Sequence, residues 1–190
     1  MLVVQEVHRV KGKAVEEFES ATQQFWKAAA PFGVTAAWFF EVSHGTGPSY
    51  CVVSALRLEG WSAWEAYARA VAYGELSAVT EELDATRYDS ESSVLEILSE
   101  VPPVAADAAS PGLWVQRFIK PDAGGESAIG QPGLVMRGAV GGSPDGITIL
   151  SKESPAAVID ILTGESDRGG VVGRAESTWV LRPSSFSPLR

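Results

Sequence analysis

LVVQEVHRV, residues 2–10, decides how the rest of the chain is read. Side chains alternate across a strand, so this run has two different faces. Val3, Val7 and Val10 suit the underside of a helix. Leu2, Val4, Glu6 and His8 form the opposite set, which carries a carboxylate and an imidazole. A strand with one apolar face and one ionisable face predicts a sheet with helices packed outside it and a cavity enclosed within.

Beyond this strand, Lys11-Gly12-Lys13 makes a turn. Ala14, Phe18, Ala21, Phe25 and Ala28 then recur at helical spacing, and Pro31 and Gly33 end that helix. Val34 to Ser43 is rich in strand formers, the cluster His44-Gly45-Thr46-Gly47-Pro48 is a turn, and Tyr50 to Leu58 returns as the second arm of a hairpin. Ser62 and Glu65 stand at capping-box spacing before the stripe Trp64, Ala68, Val71. Leu76, Val79 and Leu83 continue the helical spacing past Gly74, and Val94 to Leu98 is a fourth strand. The order βαββαβ is that of a ferredoxin-like half.

A shortened copy follows the Pro/Ala stretch VPPVAADAASP. LVVQEV (Leu2 to Val7) aligns with LWVQRF (Leu113 to Phe118), and ESSVL (Glu91 to Leu95) with ESTWV (Glu176 to Val180). Leu134 to Val140 and Ile147 to Leu150 flank a second hairpin turn, and Ser154-Pro155 opens a helix through Leu162. The first helix has no counterpart, because Lys120 to Pro132 carries Gly124, Gly125 and Gly130. The expected division is a ferredoxin-like half over 1–100, a linker over 101–111 and a shortened half over 112–190. The fold class is α+β, with both halves forming one intramolecular barrel.

Composition bounds the function. With 45% hydrophobic residues in 190, the chain can build a real core. Its net charge of −9 argues against nucleic acid or an anionic membrane surface as partner. The single cysteine, Cys51, excludes an internal disulfide and reads as a buried thiol. No apolar run approaches the ~18 residues of a membrane helix, and no signal peptide is read, so a cytoplasmic location is expected.

The first strand running into VKGKAVEEFE resembles the opening of the NIPSNAP-like and antibiotic-biosynthesis-monooxygenase-like branches of the dimeric α/β-barrel superfamily. Val10 and Lys11 stand where a Lys-Pro pair is common in that opening. DGITILSKESPAAVIDIL and ESTWVLRP are more similar to the YCII-like branch, whose last strand often ends in Arg-Pro. The resemblance implies two ferredoxin-like sheets closed into a barrel. It also implies oxygenation, cyclisation or isomerisation of a hydrophobic aromatic or polyketide-like substrate as the reaction types. No cofactor is expected; a haem held through one histidine stays open, because some relatives bind haem. A homo-oligomer also stays open.

The candidate site follows from the first strand. If Glu6 and His8 face the cavity, the repeat places Arg117 on the related strand with opposite charge. His8 is then the acid/base, Glu6 its orienter and Arg117 the stabiliser of an enolate or phenolate. The competing reading is a buried Glu6–Arg117 pair that docks the halves. Trp38, Phe40, Tyr50 and Trp179 on strands would give a substrate-binding wall for a flat ligand, or ordinary core. Trp26, Trp61 and Trp64 are assigned to the core, and His44 to a solvent-facing turn. Two distant histidines without a cysteine cluster give no metal-site spacing. The alternative to an enzyme is a non-catalytic barrel that binds a small ligand or serves as an accessory subunit. A cavity holding His8 with Arg117 favours the former, and one filled by side chains the latter.

Overall fold

The computed structural model describes residues 1–45, 51–101, 113–121, 133–140, 146–153, 155–163 and 173–184. Tyr50, most of the 101–111 linker and most of the glycine-bearing stretch 120–132 lie outside the described residues.

Along the first half run β1 (Leu2–Val10), α1 (Val15–Ala29), a 3₁₀ turn (Ala30–Phe32), β2 (Val34–Gly45), β3 (Cys51–Leu58), α2 (Trp61–Tyr73), α3 (Ser77–Thr86) and β4 (Arg87–Val101). The second half has β5 (Leu113–Pro121), β6 (Gly133–Val140), β7 (Ile147–Glu153), α4 (Pro155–Thr163) and β8 (Gly173–Pro183). Phe18, Ala21 and Phe25 are buried on one stripe of α1, as their spacing predicts. Gly33, at φ +83°, ends the 3₁₀ turn, and a Cβ there would lie 2.7 Å from that of Ala63. Only glycine lets the chain enter β2 so close to α2. Three boundaries differ from the sequence reading. No side chain caps α2, whose N-cap is Gly60, so Ser62 is not a cap. Gly74 separates α2 from α3 outright. The backbone of His44 belongs to β2 and not to the turn.

The strands close into an eight-membered barrel in the order β1-β3-β2-β8-β5-β7-β6-β4. Every neighbouring pair is antiparallel. Each half contributes the order 4-1-3-2, and the seams are β2–β8 and β6–β4. A half-turn about the barrel axis therefore carries β1, β2, β3 and β4 onto β5, β6, β7 and β8. The same rotation brings LVVQEV onto LWVQRF.

Two cores lie on either side of this wall. Outside it, Leu2, Val4, Val10, Phe39, Leu56 and Leu58 pack against Phe18, Phe25, Tyr67 and Leu83 of the helices. Inside it, Val3, Trp38, Phe40, Val53, Leu95, Met136, Leu150 and Leu181 fill the barrel, joined by Val7. This corrects the face assignment. Leu2, Val4, Glu6 and His8 lie beneath the helices, whereas Val3, Gln5 and Val7 point inward. Val10, which shares the parity of His8, stays on the helix side despite a register shift after Arg9.

Candidate functional site

The ionisable face of β1 does form a cluster, although not in the barrel. Opposite Glu6 on β3 is Ser54, and Ser92 lies across from it on β4. His8, 2% exposed, sits under the ring of Phe18 with centroids 5.2 Å apart. Arg87 Nη1 donates to His8 Nδ1 at 2.6 Å. That contact makes Nδ1 the acceptor and leaves the Nε2 proton to donate to Ser54 Oγ, 2.8 Å away. Glu6 Oε2 lies 3.5 Å from His8 Nε2 and 3.6 Å from Arg87 Nη1. The other edge of the Arg87 guanidinium donates to Asp84 Oδ1, through Nε at 2.8 Å and Nη2 at 2.6 Å. Arg87 opens β4 directly after α3, so the helix-to-strand corner fixes this fork.

Burial, and after it the Arg87 cation, pushes the His8 imidazole down to about 3. Burial raises the Glu6 carboxyl, with Arg87 acting against the rise and Asp84 with it. Burial and then Glu6 raise the Tyr67 phenol. A neutral ring with both nitrogens engaged neither takes protons near neutral pH nor offers a lone pair to a haem iron. Among the described residues no three His, Cys, Asp or Glu side chains converge to hold a metal ion.

Arg117 is not in this cluster. It pairs across β5 with Ile149 of β7 and Thr178 of β8, on the outer face of the second half. Its Nε is buried with no hydrogen-bond partner among the described residues. Burial lowers its pKa, against the pull of Glu153. Glu6 and Arg117 thus stand on opposite sides of the barrel, each facing outward. The expected Glu6–Arg117 pair is overturned, because the register of both strands turns these positions away from the lumen.

What meets across the lumen is the residue before each of them. Gln116 Nε2 donates to Gln5 Oε1 at 2.9 Å, and both side chains are buried. Trp38, Phe40 and Trp179 do point into the barrel. Phe40 packs on Trp114 at 5.7 Å and Trp179 on Phe118 at 4.7 Å. A pocket of about 140 Å³ remains beside Gln5, Thr148 and Gly138. Trp26 and Trp64 pack against the outer core as expected, but Trp61 is 48% exposed at the start of α2.

The larger opening is outside the wall. A cleft of about 520 Å³ lies between the first turns of α1 and strands β1, β3 and β2. Val10, Val15, Phe18, Val42 and Val52 give it apolar walls, and Glu19, Glu41 and Cys51 its ionisable groups. Phe18 separates the cleft from His8, whose Cα partner on β3 is Val52. Burial, then Glu41 and Glu16, raise the Glu19 carboxyl. Burial also pushes the Cys51 thiol up. The second half reaches this cleft: Arg182 of β8 forms an ion pair with Glu41. Ser184 lines the cleft and donates to the Phe39 carbonyl from its backbone nitrogen at 3.0 Å.

No family model and no curated protein matches the chain. Solved structures do. A protein described as a "putative monooxygenase" from Lactobacillus acidophilus superposes at TM-score 0.56 and 8% identity, covering 96% of this chain and 93% of its own. Another of that description, from Fusobacterium nucleatum, gives 0.56 at 9%, covering 96% and 91%. An anthrone oxidase-like protein gives 0.51 at 12%, covering 97% and 93%. The chain has the dimeric α/β-barrel fold.

At such identities the likeness is one of fold, and it leaves the NIPSNAP-like and YCII-like branches undivided. Within a dimeric α/β-barrel the sequence brought Glu6 and His8 together correctly but missed their neighbours. Arg87 and Ser54 give no sign of this role in the sequence, because nothing local marks a residue 79 or 46 positions away as a partner. Glu19 and Glu41 were readable as charged residues bordering apolar runs, on α1 and β2 respectively. Gln5 and Gln116 had the clearest signal of all, being identical residues at aligned positions of the repeat.

Proposed function

We propose that the chain is a small-molecule enzyme that binds a hydrophobic, flat substrate in the cleft beneath α1 and starts its reaction by removing a proton. The observation that carries this reading is the cleft itself. Its volume of about 520 Å³ falls in the range of small-molecule sites, and a half-buried carboxyl, Glu19, stands on its apolar wall. A carboxyl raised toward neutrality is better matched to proton abstraction than one at its ordinary value. Oxygenation, cyclisation and isomerisation of an aromatic or polyketide-like molecule can each begin with such a step, giving an enolate or phenolate. The monooxygenase description of two structural neighbours supports the same class. His8, Glu6 and Arg87 act behind Phe18 as a buried brace for the cleft wall. Both sheets come from one chain, so the proposed site needs no second copy.

A ligand screen with naphthols, followed by thermal shift and NMR titration, tests this. Val15→Trp should fill the cleft from its exposed side and weaken binding at least about tenfold, the equivalent of about 1.4 kcal/mol. Glu19→Gln should keep binding and lose about 10²–10⁴-fold in turnover of any substrate found. Binding that is indifferent to Val15→Trp would place the ligand elsewhere and remove the reading. A second reading, a non-catalytic accessory barrel, draws its support from the packed lumen and the Gln5–Gln116 bond across it. Normal turnover by Glu19→Gln would remove Glu19 from the chemistry without favouring that second reading.

A further inference from the structure

We propose that the cleft beneath α1 selects its ligand by charge, taking apolar molecules that carry a protonated amine or no charge and turning away carboxylates. This deepens the reading above and rests on the cleft being the ligand site.

Among the described residues the ionisable groups on the cleft walls are Glu19, Glu41 and Cys51. Cys51 is buried, and burial favours its neutral thiol. Glu41 is already matched, because Arg182 arrives from β8 and pairs with it. Glu19 has no salt bridge among the described residues, and the charges acting on it, Glu41 and Glu16, have its own sign. Of the two basic residues that flank Val10 in sequence, Lys11 donates to the Ala85 carbonyl at 2.7 Å and Arg9 pairs with Asp89. Among the described residues the walls therefore hold one carboxylate, Glu19, that no cation answers.

An apolar surface behind a half-buried, uncompensated carboxylate is complementary to an amphipathic cation. The hydrocarbon body covers Val10, Phe18 and Val52, and the ammonium supplies the counter-charge that Glu19 lacks. A carboxylate of the same shape would meet like charge with its own hydration stripped, and a neutral alcohol would lie between the two. At a partly solvated site such a contact changes affinity by about tenfold in each direction.

Three ligands with one hydrocarbon body separate the possibilities: 2-naphthylmethylamine, 2-naphthylmethanol and 2-naphthoate, titrated at pH 7 and low salt by tryptophan fluorescence and NMR. The amine should bind tightest, the alcohol about tenfold weaker, and the acid about tenfold weaker again. In Glu19→Gln the three affinities should converge to within about threefold. Equal binding of all three, abolished by Val15→Trp, would keep the cleft and overturn selection by charge. A wild-type order that persists in both Glu19→Gln and Glu41→Gln would overturn it too. Failure of all three to bind would remove the cleft reading together with this one.

Discussion

On the first half, β1 sends Glu6 and His8 outward under three helices, where Arg87, Asp84 and Ser54 answer them. On the second half, the aligned positions are Arg117 and Ile119. Ile119 joins Val135, Ile147 and Ile149 in an apolar cluster, and Arg117 keeps a buried nitrogen without a partner among the described residues. Inside the wall each half contributes a glutamine to the axis, although Val3 and Val7 of β1 stand where β5 carries Trp114 and Phe118. The halves share a strand order and differ in the ionisable groups that their first strands send outward. Function within a shared fold is therefore to be sought where the halves differ.

The sharpest way to break that comparison is to remove one arginine from each half. Arg87→Met strands Glu6 and takes the donor from His8 Nδ1, and should lower stability by about 3–5 kcal/mol in chemical denaturation. Arg117→Met removes a guanidinium that burial already disfavours, and should be near neutral or stabilising. Equal losses from the two would mean that both halves hold their arginines in the same way. The inner face is tested next. Gln5→Leu or Gln116→Leu alone leaves a buried amide unsatisfied and should cost about 1–3 kcal/mol, while the double change should recover most of it. Additive losses in that cycle would show that the two amides do not meet.

The titration of His8 gives the smallest effect and has no counterpart at the aligned position of the second half, where Ile119 stands. The folded imidazole is held at about 3 against an ordinary 6.5. Its contribution is thus complete above pH 6.5 and is lost as pH falls from there toward 3. The limiting slope is about 1.4 kcal/mol per pH unit, so about 1 kcal/mol should be gone by pH 5.5. Glu6, raised on folding, works with the opposite sign: the proton it holds in the folded state offsets part of the loss. His8→Gln should flatten the curve of stability against pH between 6.5 and 5.5. An unchanged slope would assign the acid sensitivity to other groups.

The order of elements in the first half and both hairpins were legible because period-two alternation and turn residues are local signals. Which face of β1 points inward was not. Alternation separates two faces without saying which is covered by helices, and polarity misled, since the lumen is packed and the ionisable pair lies outside. Val10 carried a usable hint: it has the parity of His8, and with Leu2 and Val4 makes an apolar row suited to Phe18 and Phe25. The exposure of Trp61 escaped because helical spacing does not say where the first turn clears the sheet. The cleft under α1 is built from three strands and a helix, and no stretch of sequence displays it.

The bond between Gln5 and Gln116 has a consequence for ancestry. On a two-fold axis a residue meets its own copy, and a carboxamide is among the few polar side chains that can donate to and accept from an identical partner. A glutamate or lysine there would face like charge. A chain of half this length with glutamine at that position could close the same barrel as a homodimer, and joining two copies end to end would ask nothing new of the axis. Fusion would then free the outer faces to diverge, since residues there no longer have to serve in duplicate.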